Sequence, residues 1–202
     1  MSDTRPSVRC RGFNLVELLV SLAILTSLLA LLTPRALRLS AGLRVSLAAA
    51  EVQAALHGAR MLAIRLRSDV AVRFVISSDR ARYAMYRDGN GDGVTTRDIE
   101  SGVDPQAGPF RDLRQLGSHV RFGFPSGPPP VDPSDPTRVL DRLDDPIRLN
   151  RSDLASFSPL GGSTPGSLYL TDGVQHLVVV RILGISGKLK TLRYDRLTRE
   201  WG

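Results

Sequence analysis

The apolar run at 13–33 most constrains how this chain can fold, because Asn14 and Glu17 are its only strongly polar residues. Residues 18–33 carry no charge at all. About 20 apolar residues, rising 1.5 Å each in a helix, are enough to cross a bilayer, so the run predicts a membrane-spanning helix. Three basic residues precede the run: Arg5, Arg9 and Arg11. They favour a cytoplasmic N-terminus and so predict that the rest of the chain lies across the membrane.

Length, charge and cysteine content set wider limits. The 202 residues suit one domain plus an anchor. The formal net charge of +7 fits either anionic partners or arginines that only keep the chain in solution. Cys10 is the one cysteine, so an intramolecular disulfide is excluded. It precedes the apolar run, whereas a lipoprotein cysteine would follow it.

The segment Gly12-Phe13-Asn14-Leu15-Val16-Glu17 resembles the type III signal sequence of type IV pilins and type II secretion pseudopilins. The resemblance implies cleavage between Gly12 and Phe13 by a prepilin peptidase, followed by N-methylation of Phe13. A secretory signal peptide fits less well, because 31–35 is a poor cleavage site. A plain signal anchor would explain the length of the run but not its glutamate.

The same resemblance gives Glu17 and Pro34 roles in assembly. In the family, the glutamate is thought to pair with the N-terminal ammonium of a neighbouring subunit. Such a pair is much stronger in a low-dielectric surrounding than in water. Pro34 falls where many pilins have a proline that loosens the helix, since proline removes one helical hydrogen bond. We therefore expect Glu17 to set the register between subunits.

Beyond the run, spacing predicts a long amphipathic helix and then strands. Val52, Leu56, Ala59, Ala63 and Leu66 recur at intervals of four and three, which is one apolar stripe of a helix. The period then changes to two and predicts a strand at 70–76 paired in a hairpin with 80–87. Further strands are predicted at 116–124, 155–160, 167–171, 174–183 and 188–194.

These features narrow the resemblance to the GspH/FimT branch of minor pseudopilins. The segments at 59–74, 157–173 and 184–190 are similar to that family's helix end, its C-terminal strand-turn-strand and its closing basic segment. The implied fold class is α+β and type IV pilin-like: a long N-terminal helix, membrane-spanning in its first half, packed on a C-terminal antiparallel sheet. The implied organisation is a leader at 1–12, a filament-core helix at 13–33, an amphipathic helix at 34–68, and a β-rich domain at 69–202 with an insertion at 105–153.

A second motif suggests calcium. Asp88, Asn90 and Asp92, followed by Gly93, reproduce the first half of an EF-hand loop. Position twelve of that loop is Ile99 rather than an acid. A structural turn without metal explains the same residues, so both interpretations stay open.

The basic C-terminal segment suggests DNA. Lys188 and Lys190 are two residues apart, so they share one face of a strand. DNA-uptake members of the family have arginines there, and lysine keeps the charge but loses the bidentate fork. Phosphate contact independent of sequence would be sensitive to salt. Asp195 and Glu200 dilute the positive field.

No pattern predicts an enzyme. The three histidines have no metal-ligand spacing and no P-loop is present. The prediction is a minor pseudopilin of a type II secretion pseudopilus, in the bacterial inner membrane with a periplasmic C-terminal domain. Its expected partners are other pseudopilins, prepilin peptidase and membrane lipid; no cofactor is expected apart from the calcium just described. The alternatives are a minor pilin of a type IV pilus, with DNA as a further partner, and a membrane-anchored calcium-binding module.

Overall fold

A computed structural model of the chain describes residues 14–77, 81–113, 120–150, 152–184 and 186–202. Its first element is helix α1, Leu15–Leu66, 52 residues long. Contacts divide the chain into two compact units, Met1–Ser40 and Ala41–Gly202, so α1 contributes to both. The backbone of α1 is described throughout, and its side chains are described except at 32–39.

In the second unit, α1 buries one face in the core. The apolar stripe expected from spacing is buried at Val52, Leu56, Ala59 and Ala63, while Leu66 is exposed. The helix ends just beyond, where Arg67 has a positive φ of 54°, the left-handed geometry common after a helix C-terminus. Leu66 therefore falls in the last turn, where the buried face has already ended.

Within the described residues, ten strands and one short helix follow α1. The first two strands form the predicted hairpin, with Val70 opposite Arg87 and Ile76 opposite Ala81. Helix α2, Thr96–Ser101, is capped by Thr95, whose Oγ1 accepts the Asp98 N–H at 3.1 Å. The strands are β1 Val70–Ile76, β2 Ala81–Arg87, β3 Arg111–Asp112, β4 Arg121–Phe122, β5 Ile147–Arg148, β6 Leu154–Phe157, β7 Gly166–Thr171, β8 Leu177–Leu183, β9 Lys188–Asp195 and β10 Glu200–Trp201.

The strands form two antiparallel sheets. The four-stranded sheet has the order β3-β2-β1-β6. The six-stranded sheet has the order β10-β9-β8-β7-β4, with β5 also paired to β7. The chain passes from the four-stranded sheet to the six-stranded sheet after β3, returns to the first for β6 and enters the second again at β7.

One core joins the inner faces of both sheets to α1. It includes helix residues from Val45 to Ala63, together with Phe74 of the four-stranded sheet and Leu170 and Val180 of the six-stranded sheet. Phe74 meets Phe122 edge-on, with ring centroids 5.6 Å apart. The second half of α1 therefore holds the two sheets together.

Each sheet also has an outer face, and loops cover parts of both. On the four-stranded sheet, Val94 and Ile99 pack on Ala71 and Tyr86. On the six-stranded sheet, Leu140 packs in a second cluster with the aromatic residues of that face. The residues that cover the two outer faces come from segments that connect strands, and Ile99 among them lies in helix α2.

The predicted type IV pilin-like fold class is wrong in the form expected. The chain is α+β, but it has two antiparallel sheets instead of one, because β6 returns to pair with β1. The helix residues in the core begin at Val45, so only the second half of α1 packs on the sheets, and among the described residues no helix meets the requirements for a membrane span.

The predicted localisation, a single pass through the bacterial inner membrane with the C-terminal domain in the periplasm, is also corrected. Within the part of the chain that the structure describes, no helix is both long enough and apolar enough to cross a membrane.

Candidate assembly helix and predicted ligand sites

The predicted processing site, Gly12 and Phe13, lies outside the described residues. Asn14 is the first residue that the structure describes. Its side-chain oxygen accepts the Val16 N–H at 3.4 Å, and its carbonyl accepts the Leu18 N–H at 3.1 Å. Asn14 is thus a helix N-cap residue. Glu17 is exposed in the first turn of α1, where a negative charge is stabilised by the helix dipole.

The first part of α1 presents an apolar surface. Its large hydrophobic side chains are about half or more exposed, from Leu15 to Leu31. The hydroxyl groups of this stretch donate to the helix's own carbonyls: Ser21 to Glu17 at 2.7 Å and Ser27 to Ala23 at 2.8 Å. Because these donors are satisfied internally, they add little polarity to the surface.

Pro34 lies within α1, whose helical backbone is continuous through that position. Proline has no N–H, so one helical hydrogen bond is missing there. The predicted loosening of the helix at Pro34 stays a prediction.

In the second unit, α1 also has an exposed apolar stripe that sequence reasoning missed. We name it the α1 ridge: Leu43, Leu47, Ala50, Ala54 and Met61. Leu47 is 62% exposed and Met61 65% exposed. Ala50 and Ala54 are exposed between Leu47 and Met61 on this face. Their spacing of four and three with Leu43 and Leu47 was the available signal for a second apolar face.

Among the exposed residues of α1 between 43 and 61 there is no Asp, Glu, Lys or Arg. The charged side chains of this stretch are partly buried and bonded toward the domain. Glu51 Oε1 lies 3.2 Å from Arg111 Nη1 and accepts the Tyr83 hydroxyl at 3.2 Å. Arg60 Nη1 donates to the Gly187 carbonyl at 3.4 Å. A charge-free exposed face is typical of a surface that another molecule covers.

The loop predicted to bind calcium is organised around backbone donors. Asp88 is buried, and its Oδ1 accepts the N–H groups of Asn90 at 3.1 Å and Gly91 at 2.7 Å. Its Oδ2 accepts the Gly93 N–H at 3.1 Å. Asn90 in turn accepts the Asp92 N–H at 3.3 Å. The Asp88 oxygens thus hold the turn closed.

A second carboxylate, which the motif did not include, completes this loop. Asp104 is 1% exposed, and its two oxygens accept the N–H groups of Gly89 and Thr95, each at 3.0 Å. Burial, and after it the neighbouring Asp88, raises the pKa of Asp69 above its ordinary value. Among the described residues, no group of three or more His, Cys, Asp or Glu side chains is placed to hold a metal ion. Calcium binding stays a prediction.

The two lysines predicted to contact DNA are exposed on β9. Register pairs Lys190 with Arg181 and Lys188 with Leu183 on the neighbouring strand. Several nearby arginines are bonded to the protein itself: Arg193 Nη2 donates to Ser46 Oγ at 2.7 Å, and Arg196 Nη1 donates to the Val174 carbonyl at 2.8 Å. These two arginines are therefore held against oxygens of the protein itself, whereas both lysines are exposed.

Two of the three histidines lie among the described residues, on different elements. His57 is exposed on α1, and His119 lies outside the described residues. His176 Nε2 is 3.9 Å from Asp172 Oδ2, and the His176 ring lies against Gly42, where a Cβ would meet Cε1 at 3.0 Å. His176 therefore packs the β7–β8 turn on α1.

Comparisons of the chain with models of protein families, with curated proteins and with solved structures give no match.

Proposed function

We propose that this chain is an assembly subunit, a minor pseudopilin of a type II secretion pseudopilus, and that α1 carries its contacts with neighbouring subunits. The observation that carries the proposal is the apolar surface of α1, in its first part and along the α1 ridge. Burying one leucine side chain contributes roughly 1.5–3 kcal/mol. Several such residues on one helix supply enough free energy to hold a subunit in an assembly.

The N-terminal motif supports the same function. Glu17 follows Phe13 by four residues, so cleavage after Gly12 would create an ammonium close to a carboxylate in sequence and available to the carboxylate of another copy. A carboxylate buried between helices without a partner is strongly destabilising. Glu17 thus favours arrangements of subunits in which it meets an ammonium.

Processing is the first test. We expect the full chain, co-expressed with a prepilin peptidase, to lose residues 1–12 and to gain one methyl group on Phe13, as read by intact-mass and peptide mass spectrometry. A Gly12→Val chain is the matched control and should stay intact. An unprocessed wild-type chain beside a processed pseudopilin in the same cells would contradict the proposal.

Assembly is the second test. A photo-crosslinking amino acid at Leu47 should attach the chain to a second pseudopilin. The same group at Leu197, which is 95% exposed but lies in the β9–β10 turn, should give much less product. Glu17→Gln should weaken crosslinking at Leu47, whereas Glu200→Gln, an exposed control, should not. Equal yields at Leu47 and Leu197 would show that α1 is not the contact surface.

A further inference from the structure

Strand β9 lies near one edge of the six-stranded sheet, between β8 and the short strand β10. β10 covers only part of its length. Tyr194 and Asp195 lie opposite β10, and Arg193 exchanges two backbone hydrogen bonds with Gly202, at 2.8 and 3.0 Å. Among the described residues, 188–192 pair with β8 alone. We name this stretch, residues 188–192, the β9 edge.

Alternation along β9 determines which backbone groups of the β9 edge point away from β8. In an antiparallel sheet, a residue whose N–H and C=O bond the strand on one side is followed by a residue whose groups face the other side. Arg193 faces β10, so Leu189 and Thr191 face the same way. Within the described part of the chain, the backbone groups of these two residues have no hydrogen-bond partner on that side. The β9 edge can therefore pair with one more strand.

The side chains of the β9 edge divide between the two faces of the sheet. Leu189 packs against the core, and Thr191 Oγ1 donates to Gln53 Oε1 of α1 at 2.8 Å. Lys188 and Lys190 alternate with them and are exposed on the opposite face. A strand added here would therefore direct every second side chain toward α1 and the others toward the lysines.

The two lysines have no compensating acid among the described residues, where no carboxylate forms an ion pair with either of them. Lys190 lies opposite Arg181 on β8, so the neighbouring strand adds a like charge. Opposite charges on paired strands are stabilising, and like charges directly opposite each other are destabilising. An incoming strand is therefore favoured when it places acidic side chains beside Lys188 and Lys190.

The same charges disfavour a second copy of the chain as the occupant. When two β9 edges pair antiparallel, with Leu189 of each opposite Thr191 of the other, Lys190 of one copy lies opposite Lys190 of the other. Lysine on an exposed edge strand is a device that natural proteins use against such self-association. The occupant that fits is a strand of the opposite charge.

We propose that the β9 edge binds an extended segment of another protein in which acidic residues alternate with apolar ones. The segment extends the six-stranded sheet by one strand, and its backbone bonds the N–H and C=O groups of Leu189 and Thr191. Its acidic side chains meet Lys188 and Lys190. Its apolar side chains face α1, whose exposed residues between 43 and 61 include no Asp, Glu, Lys or Arg. Binding at the β9 edge does not require assembly through α1, so it is independent of the proposed function.

The test is hydrogen exchange of the full chain in mild detergent, which keeps the apolar surface of α1 dispersed. The probe is a synthetic peptide with blocked ends and the alternating sequence Gly-Glu-Val-Glu-Val-Glu-Gly. We expect it to slow exchange of the Leu189 and Thr191 amides about tenfold at about ten times its Kd, because only the unbound edge exchanges. The control peptide has the same composition with its acids in one block, Gly-Glu-Glu-Glu-Val-Val-Gly, and should bind at least about tenfold more weakly.

Thr191→Pro tests the backbone contact. It removes one outward N–H, and proline is tolerated on an edge strand where the N–H does not bond the neighbouring strand. We expect the alternating peptide to bind this variant at least about tenfold more weakly, as read from exchange at Leu189. Thr191→Ala is the matched control, because it keeps the N–H and loses only the side-chain hydroxyl and methyl groups. It should bind the peptide as the wild type does.

Reversing the charges gives a test that does not require proline to be tolerated. A Lys188→Glu and Lys190→Glu double variant should lose the acidic peptide and prefer Gly-Lys-Val-Lys-Val-Lys-Gly by at least about tenfold. Equal protection by the alternating and block peptides would show attraction of charge alone and overturn the proposal. Protection of the two amides by duplex DNA but not by the peptide, or no protection by millimolar alternating peptide, would overturn it as well.

Discussion

Replacing Asp88 by alanine separates the two interpretations of the loop that resembles a calcium site. The carboxylate accepts three backbone N–H groups, from Asn90, Gly91 and Gly93. Alanine would leave all three without that partner. We expect the loss to occur without calcium, because every one of these bonds is made within the chain.

The magnitude follows from the number of bonds and their exposure. A hydrogen bond to a charged group contributes about 1.5–3 kcal/mol. The donors lie in a turn that water can reach after the substitution, and removing the charge also relieves its repulsion of Asp69, so the total is smaller than three full bonds. We expect a loss of about 3 kcal/mol, or roughly 6–12 °C in Tm for a chain of this length.

The assay is thermal and urea unfolding of the full chain, followed by circular dichroism, in EDTA and in excess calcium. Asp92→Ala is the matched control, since Asp92 is an acid of the same motif but is exposed. Its effect should stay within about 0.5 kcal/mol, as for most surface substitutions. The opposite result would be that calcium stabilises the wild type and that both variants are equally less stable than it in calcium but not in EDTA. The loop would then be a metal site, and the reasoning would fail.

Three further predictions concern single groups. Asp69→Asn should stabilise the chain at pH 7, because the raised pKa of Asp69 in the folded state means that the ionised carboxylate opposes folding. The gain in stability should vanish as the pH falls through that pKa. A gain that stays constant with pH in unfolding experiments would contradict this prediction. Tyr83→Phe should lower the free energy of unfolding by about 1 kcal/mol at neutral pH. Burial, and after it the neighbouring Glu51, raises the pKa of Tyr83, so the greater stability of the wild type should disappear above pH ~10, where tyrosine ionises in the unfolded chain. A wild type that stays more stable than Tyr83→Phe above that pH would contradict the prediction. A Lys188→Gln and Lys190→Gln double variant should keep its Tm and lose any salt-sensitive mobility shift of DNA, and an unchanged shift would remove the DNA prediction.

Local periodicity predicted the elements whose partners are close in sequence. The stripe through Val52 and Ala59 is buried as expected, because spacing along a helix fixes which residues share a face. The β1–β2 hairpin was predicted correctly for the same reason, since only four residues separate its two strands in the sequence. Tyr83, on β2 of this hairpin, is buried in the core with Phe74 of β1.

Pairing between distant strands was not predictable in this way. β6 pairs with β1, with Val70 opposite Phe157, and no local pattern distinguishes that arrangement from one continuous sheet. The same limit applies to Asp104, which acts on a loop that begins at Asp88. Trp201 is a similar case, because its partner at Val131 comes from the proline-rich segment. Each of these contacts joins residues that are distant in the sequence. A short local pattern does not encode such a contact.

The covered and uncovered surfaces explain why α1 is the best candidate for contact with another subunit. Asp88 and Asp104 hold a loop that places Val94 on the outer face of the four-stranded sheet. Trp201 and Arg181 hold the loop at 130–140 on the outer face of the other sheet. In the described part of the second unit, the chain thus covers apolar area on both sheets with its own loops, yet the α1 ridge stays exposed along five residues. Because an apolar stripe exposed in this way is typical of an interaction site, the α1 ridge is the surface of this unit at which we expect a partner to bind.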